Sequence, residues 1–255
     1  MNITPLVRQF FAHRVRIIDS FAERAETLQR EVLARLLRQA ARTEWGERYD
    51  YATLRGYEDF AERVPLNDYE SLKTDIDRMR HGERDVLWRG AVRWYAKSSG
   101  TTNDKSKFIP VSAQGLQDLH YAGGRDSVAL YLRNYPESRL FSGKGLILGG
   151  SHQPNYNSPT ALVGDLSAIL NENVSTFVNL FRVPKKQTAL LADFEEKRDR
   201  IARETMHANV TSLSGVPSWM MAVLTRLLEI TGAKTVDEVW PNLEVFFHGG
   251  VAFTP

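Results

Sequence analysis

The chain has 255 residues, 42% apolar and 25% charged, which is room for one large or two modest soluble globular domains and excludes a disordered chain. Its 33 basic and 31 acidic side chains leave a formal charge of only +2, so the sequence carries no electrostatic footprint for nucleic acid or for an anionic membrane. It has no cysteine, which removes disulfides, thiolate metal sites and a cysteine nucleophile, and fits a reducing compartment.

In chain order, the first element is a helical arm over residues 1–45. Phe10, Ile17, Phe21, Leu28, Val32, Leu36 and Ala40 recur at helical spacing with arginine and glutamate between them, predicting one long helix or two with a break near Glu26–Thr27. "TEWGERYDY" closes the arm at Gly46, and packing is the expected role of such an amphipathic stretch. The N-terminus has neither the uncharged core nor the small-residue cleavage site of a secretory signal, and no apolar run approaches the roughly 20 residues that cross a bilayer. The expectation is a cytoplasmic protein with no membrane and no nucleic-acid partner.

Residues 57–86 read as short helices separated by Pro65 and Gly82. Four strands are then expected: "VRWYAK", "GLILGG", "NVTSLSG" and "LEVFFHGG". "ADFEEKRDRIARETMHA" between the second and third, and "PSWMMAVLTRLLEI" between the third and fourth, are helix patterns, the latter with Pro217 at its first position and Gly232 at its stop. Strands alternating with helices give an α/β fold of mostly parallel sheets flanked by helices and preceded by the helical arm. "LEVFFHG" is nearly all apolar, as a strand buried on both faces would be. No repeat or linker divides residues 46–255, which read as one domain that the chain does not finish.

Chemistry concentrates in "WYAKSSGTTNDKSKFIPVS", Trp94–Ser112. A strand runs into Ser98, Ser99, Gly100, Thr101 and Thr102, with Lys105 and Lys107 just behind. A sharp turn around a glycine presents successive backbone N–H groups to an anion, and the hydroxyls and lysines add donors and charge. A polyphosphate suits such a loop. On composition alone the stretch reads equally well as a surface turn with solvated lysines, because these residues dominate loops for other reasons. No Gly-Lys pair sits here, so the Walker pattern of P-loop NTPases is absent.

"YAKSSGTTNDKSK" resembles the phosphate-binding signature of the acyl-adenylate-forming superfamily. "FAERVPLNDYESLKTDIDRMRHGE", "KFIPVS", "LILGGSH", "GDLSAIL", "SLSGVPSWM" and "VWPNLEVFFHGGVAF" resemble, in that order, the Gretchen Hagen-type acyl-acid amido synthetases. The blocks run from about Glu44 to Phe253. The resemblance implies a ligase that activates a small carboxylic acid with ATP and Mg2+ as an acyl-adenylate, then passes the acyl group to an amine such as an amino acid. It implies that Ser98, Ser99, Gly100, Thr101 and Thr102 hold the phosphates and that Lys107 is the lysine closing the signature, with Lys105 a solvated neighbour. Gly249, Gly250, Val251 and Ala252 match the glycine-rich turn under the adenine, where the backbone approaches the ring closely; without the family, a plain strand-to-loop turn is the simpler reading.

Ser214, Gly215 and Val216 end a strand and open a helix, where an acyl pocket or a carboxylate site is expected. Trp219 and Met220 read as core. Arg125 is a candidate partner for the acid, and equally an ordinary exposed arginine. His248 adjoins the glycine turn. His13, His81, His120, His152, His207 and His248 form no metal-ligand spacing, so no metal site is expected, and no G-x-S-x-G supports a serine nucleophile. The family's metal-linked glutamate motif, its ribose-binding aspartate and its C-terminal lysine have no counterpart in these residues. The expectation is therefore the N-terminal portion of an adenylating ligase, inactive in isolation. Two alternatives stand beside it: a related ligase with another acceptor such as coenzyme A, and a non-catalytic nucleotide- or acid-binding fragment. The acid, the acceptor and the oligomeric state are not readable.

Overall fold

A computed structural model describes residues 2–98 and 106–249. Ser99, Gly100, Thr101, Thr102 and Lys105, and at the other end Gly250, Val251 and Ala252, lie outside the described residues. The chain divides into two compact units, one of residues 13–126 and 153–163, the other of residues 2–12, 127–152 and 164–249. The strands are β1 (Trp94–Lys97), β2 (Phe108–Val111), β3 (Lys144–Ile147), β4 (Leu162–Gly164), β5 (Arg182–Val183), β6 (Val210–Ser214) and β7 (Val245–Phe247).

The arm is two helices, Thr4–Asp19 and Phe21–Ala40, and the break falls at Ser20 rather than near Glu26–Thr27. The Ser20 hydroxyl donates back to the Ile17 carbonyl at 2.8 Å, a local bond that competes with the helix ladder. Glu26 is ordinary helix interior and pairs with Arg30 one turn on. The expected stripe is covered only in part: Phe10 is 77% exposed and Phe21, Val32 and Leu36 are exposed as well, Ile17 and Leu28 are half-buried, and Ala40 is buried together with Leu37, which the stripe left out. Periodicity located the helices but only part of the side that packs. Gly46 does not stop the arm either. It lies inside the Glu44–Arg48 helix, where a Cβ would sit 2.0 Å from the Ala40 carbonyl oxygen.

In the unit of residues 13–126 and 153–163, the Tyr57–Arg63 and Tyr69–Arg80 helices fall on either side of Pro65 as expected. Asp68 and Ser71 form a reciprocal capping box at the start of the second, and Gly82, at φ +97°, turns the chain after it. A three-stranded sheet, order β2-β1-β4, packs Tyr95 and Val163 with Ile76, Met79, Val86 and Val92. Strand β1 is antiparallel to β2, so "VRWYAK" forms a hairpin and does not join the other expected strands. Pro110 lacks an N–H and is tolerated in β2 because β2 is an edge strand among the described residues.

The unit of residues 2–12, 127–152 and 164–249 carries a wholly parallel sheet, order β5-β3-β6-β7. The Phe194–Thr205 helix leads into β6, and the Pro217–Thr231 helix, opened by Pro217 and stopped by Gly232 at φ +71°, follows it. Leu146, Leu148, Ile201, Val210, Leu213, Met220, Val223, Leu227 and Trp240 are its buried core. β7 is half-buried and pairs with β6 alone among the described residues. No helix among the described residues is long and apolar enough to cross a membrane.

Candidate functional site

The hydroxyl stretch is carried by a tight frame. Strands β1 and β2 pair in the register Trp94↔Val111 to Lys97↔Phe108, and the Ser98 N–H donates to the Lys107 carbonyl at 2.9 Å. Ser98 and Lys107 are therefore brought opposite each other where the loop leaves and rejoins the sheet. Ser98 is half-buried and Lys107 is exposed. The Lys107 ammonium lies 5.3 Å from the centre of the Tyr69 ring, and the Tyr69 phenol oxygen accepts the Phe108 N–H at 3.0 Å. Side chains of paired residues share a face, so Lys97 and Phe108 stand on one face of the hairpin. There the Lys97 ammonium sits 4.2 Å from the centre of the Tyr156 ring, Phe108 meets Tyr156 at 5.7 Å, and the Arg80 guanidinium lies 3.8 Å from the centre of the Phe108 ring. Tyr95 is completely buried on that side, and burial pushes its phenol up to about 12, the Arg80 charge opposing the shift. Its hydroxyl has no hydrogen-bond partner among the described residues.

The parallel sheet supplies a second constellation. From β3 the chain crosses to β5 on one side and returns to β6 on the other, so the crevice at the carboxyl ends of β3 and β6 is a topological switch point, the usual place for a ligand in an open α/β sheet. Leu148, Gly149 and Gly150 follow β3; Ser214 ends β6, and Gly215 and Val216 follow it. The Leu148 N–H donates to the Ser214 carbonyl at 2.8 Å, and the Gly215 N–H to the Phe247 carbonyl at 3.2 Å. Ser214 pairs with Phe247, so Gly249 lies two residues beyond the neighbouring strand end. The structure thus gathers Ser214, Gly215, Val216 and Gly249 at one edge of one sheet. Val216 is the N-cap of the Pro217–Thr231 helix and provides no side-chain cap, leaving the first-turn N–H groups facing this edge. Gly215 adopts φ +149°, and a Cβ there would meet the Leu148 carbonyl at 2.7 Å.

Lys197 comes up under the β3 tip. It is 3% exposed, and its ammonium donates to the Gly149 and Gly150 carbonyls at 3.1 and 2.9 Å. Burial pulls its pKa below the ordinary lysine value and Asp165 pushes it back. Asp165 in turn accepts the Ser151 N–H at 2.9 Å. A Cβ on Gly150 would stand 2.0 Å from an Asp165 carboxylate oxygen, and one on Gly149 2.8 Å from the Asn171 amide nitrogen. The Gly-Gly of "LILGGSH" thus permits close packing against the segment that begins at Asp165.

Arg125 is exposed on the Ala122–Asn134 helix. Met220 is core as expected, but Trp219 is 40% exposed and meets Phe194 in a tilted ring contact at 5.7 Å, because the buried face of its helix runs through Met220, Val223 and Leu227 instead. His248 lies against the Phe246 ring at 5.1 Å. Tyr69, Tyr156, Arg80, Lys197 and Asp165 were not singled out from the sequence. One of them had a readable signal: Lys197 occupies a core position of its helix, one turn before Ile201 and two before Thr205, all three buried.

A family model described as the GH3 family N-terminal domain matches residues 14–255. Indole-3-acetic acid-amido synthetase GH3.4 of Arabidopsis thaliana is 26% identical over 144 residues, 56% of this chain and 24% of the relative. Probable indole-3-acetic acid-amido synthetase GH3.1 of Oryza sativa subsp. japonica is 32% identical over 107 residues, 41% of this chain and 18% of the relative. Among solved structures, a GH3.15 acyl acid amido synthetase superposes with a TM-score of 0.66 at 20% identity, covering 86% of this chain and 38% of that one. The AtGH3.15 acyl acid amido synthetase in complex with 2,4-DB gives 0.69 at 19% identity, covering 84% and 38%. These structures share the fold, and the present chain spans about a quarter of the curated relative of 144 matched residues.

Proposed function

We propose, from the premise that this chain belongs to the GH3 family and matches its N-terminal domain, that it is part of an ATP-dependent acyl-acid amido synthetase. In this reading a substrate carboxylate attacks the α-phosphorus of ATP, forming the acyl-adenylate and expelling pyrophosphate. An amine then attacks the acyl carbon and expels AMP, losing its proton as the amide forms. Mg2+ enters with the nucleotide and neutralises charge on its phosphates; no side chain of this chain is assigned to it.

Ser98, Ser99, Gly100, Thr101 and Thr102 are assigned to the phosphates, and Lys107 to the charge that develops on them during transfer. The hairpin supports this assignment, since its register sets Lys107 opposite Ser98. Gly249, Gly250, Val251 and Ala252 are assigned to the adenine. Ser214, Gly215 and Val216, at the switch point, are assigned to the acid, and Arg125 is a candidate partner of its carboxylate. The relatives named above act, by their names, on indole-3-acetic acid or acyl acids, which makes an aromatic or other apolar carboxylic acid the first substrate class to test. Their names also favour an amine acceptor over coenzyme A. The cysteine-free composition is consistent with a cytoplasmic setting.

The observation that carries the reading is the family match over residues 14–255. Its test is acid-dependent pyrophosphate release by the intact protein, with indole-3-acetic acid and 2,4-DB as first acids, amino acids against coenzyme A as acceptors, and Lys107→Ala as the variant. Losing one preorganised charge contact should slow release by on the order of 10²–10³. An unchanged rate would remove Lys107 from the mechanism.

A further inference from the structure

A lysine that serves an anionic ligand faces two opposed demands. Its flexible stem loses side-chain entropy when it is held still, so something must restrain it. A carboxylate partner would restrain it but would also cancel its charge. Arg78 shows that outcome in the same unit: its guanidinium is shared among Glu44, Asp75 and Glu83. Lys107 is held differently. Among the described residues its ammonium faces the Tyr69 ring at 5.3 Å, a distance at which the ring quadrupole attracts a cation. Such a contact restrains the ammonium while leaving its full charge in place.

Tyr69 also grips the backbone beside Lys107, because its phenol oxygen accepts the Phe108 N–H at 3.0 Å. The ring itself is anchored: Tyr69 opens the helix capped by Asp68 and Ser71 and packs against the buried cluster that includes Tyr95. One side chain thus fixes both the strand on which Lys107 sits and the place of its ammonium. We propose that Tyr69 is the positioning residue for Lys107, holding the ammonium ready for the nucleotide phosphates by an uncancelled cation–aromatic contact. This rests on the reading that Lys107 meets those phosphates. Tyr156, 4.2 Å from the Lys97 ammonium, supplies a contact of the same kind without that role.

The test measures binding of ATP with Mg2+ to the intact protein by calorimetry, alongside KM for ATP and kcat for acid-dependent pyrophosphate release. Tyr69→Leu should weaken ATP binding about 2–5-fold, the size of an exposed cation–aromatic contact. Tyr69→Phe, which keeps the ring, should recover most of that loss. Tyr69→Leu combined with Lys107→Ala should bind no more weakly than Lys107→Ala alone, because the tyrosine acts through the lysine. Tyr156→Leu should leave ATP binding unchanged. Stepwise fluorination of a phenylalanine introduced at position 69 withdraws the ring's charge while keeping its shape, so a stepwise loss of affinity is expected even where Tyr69→Leu fails to fold. Additive losses in the double variant, an equal loss in Tyr156→Leu, or indifference to fluorination would overturn the proposal while leaving Lys107 in place. A Lys107→Ala variant that binds and turns over ATP normally would overturn the underlying reading and this inference with it.

Discussion

Lys197 shows how one buried charge can organise a strand end. Its ammonium satisfies the carbonyls of Gly149 and Gly150, the residues that carry the chain out of β3 at the switch point. Lys197→Met keeps the aliphatic stem and removes the donor, so two carbonyls lose their partner. The expected cost is about 1–3 kcal/mol, read as a lower melting temperature. The pH dependence has a definite sign. Burial sets the folded-state pKa below the ordinary value of 10.5, so between the two values the unfolded chain binds more protons than the folded one. Stability rises with pH wherever that holds. The burial penalty is thus in force below the folded pKa and fades as the pH climbs toward 10.5. The melting temperature of the parent protein relative to Lys197→Met should increase across that alkaline interval. A difference that stays flat or falls would mean that the lysine titrates alike in both states.

At the level of elements, glycines separate turns required by backbone conformation from those required by space. Gly232 stops the Pro217–Thr231 helix at φ +71° with nothing within 4 Å of a would-be Cβ. Gly232→Ala should therefore cost only the strain of a left-handed alanine, roughly 1–2 kcal/mol. At Gly150 the obstacle is instead Asp165, 2.0 Å from the Cβ position. Gly150→Ala must push that carboxylate off the Ser151 N–H, adding overpacking of about 1–3 kcal/mol to a broken charged hydrogen bond. Combining Gly150→Ala with Asp165→Ala should then cost less than the sum of the two single changes, whereas Gly232→Ala should add independently to either. Thermal melts of the six variants check this, and simple additivity at Gly150 and Asp165 would refute the steric account.

Across the whole molecule, the parallel sheet sets an order of protection. β3 and β6 have partners on both sides, while β5 and β7 are edges among the described residues. Amides of β3 and β6 should therefore exchange with deuterium most slowly in this unit, and those of β5 and β7 faster. Equal protection of Val245–Phe247 and Val210–Ser214 would show a further partner along β7. Much of this architecture was legible in the residues. The Pro217 start and Gly232 stop, three of the four strands of the parallel sheet (β3, β6 and β7), and the Tyr57–Arg63 and Tyr69–Arg80 helices all follow from local conformational preference and apolar period, which act within a few residues. The ordered blocks likewise pointed to the family. What needed the tertiary structure were choices made by distant neighbours. β2, β4 and β5 are too short or too interrupted, as by Pro110, to announce themselves, and exist because a partner strand supplies their hydrogen bonds. Of the arm's expected stripe Ala40 is buried, but Phe10, Phe21, Val32 and Leu36 are exposed and the buried Leu37 lay outside it, because period marks a face and only a neighbour decides how much of it is covered. Tyr69 meets Lys107, and Lys197 meets Gly149, across 38 and 48 positions of sequence. No local preference can specify such contacts; they arise when packing of the apolar core brings separate segments within a few ångströms of each other.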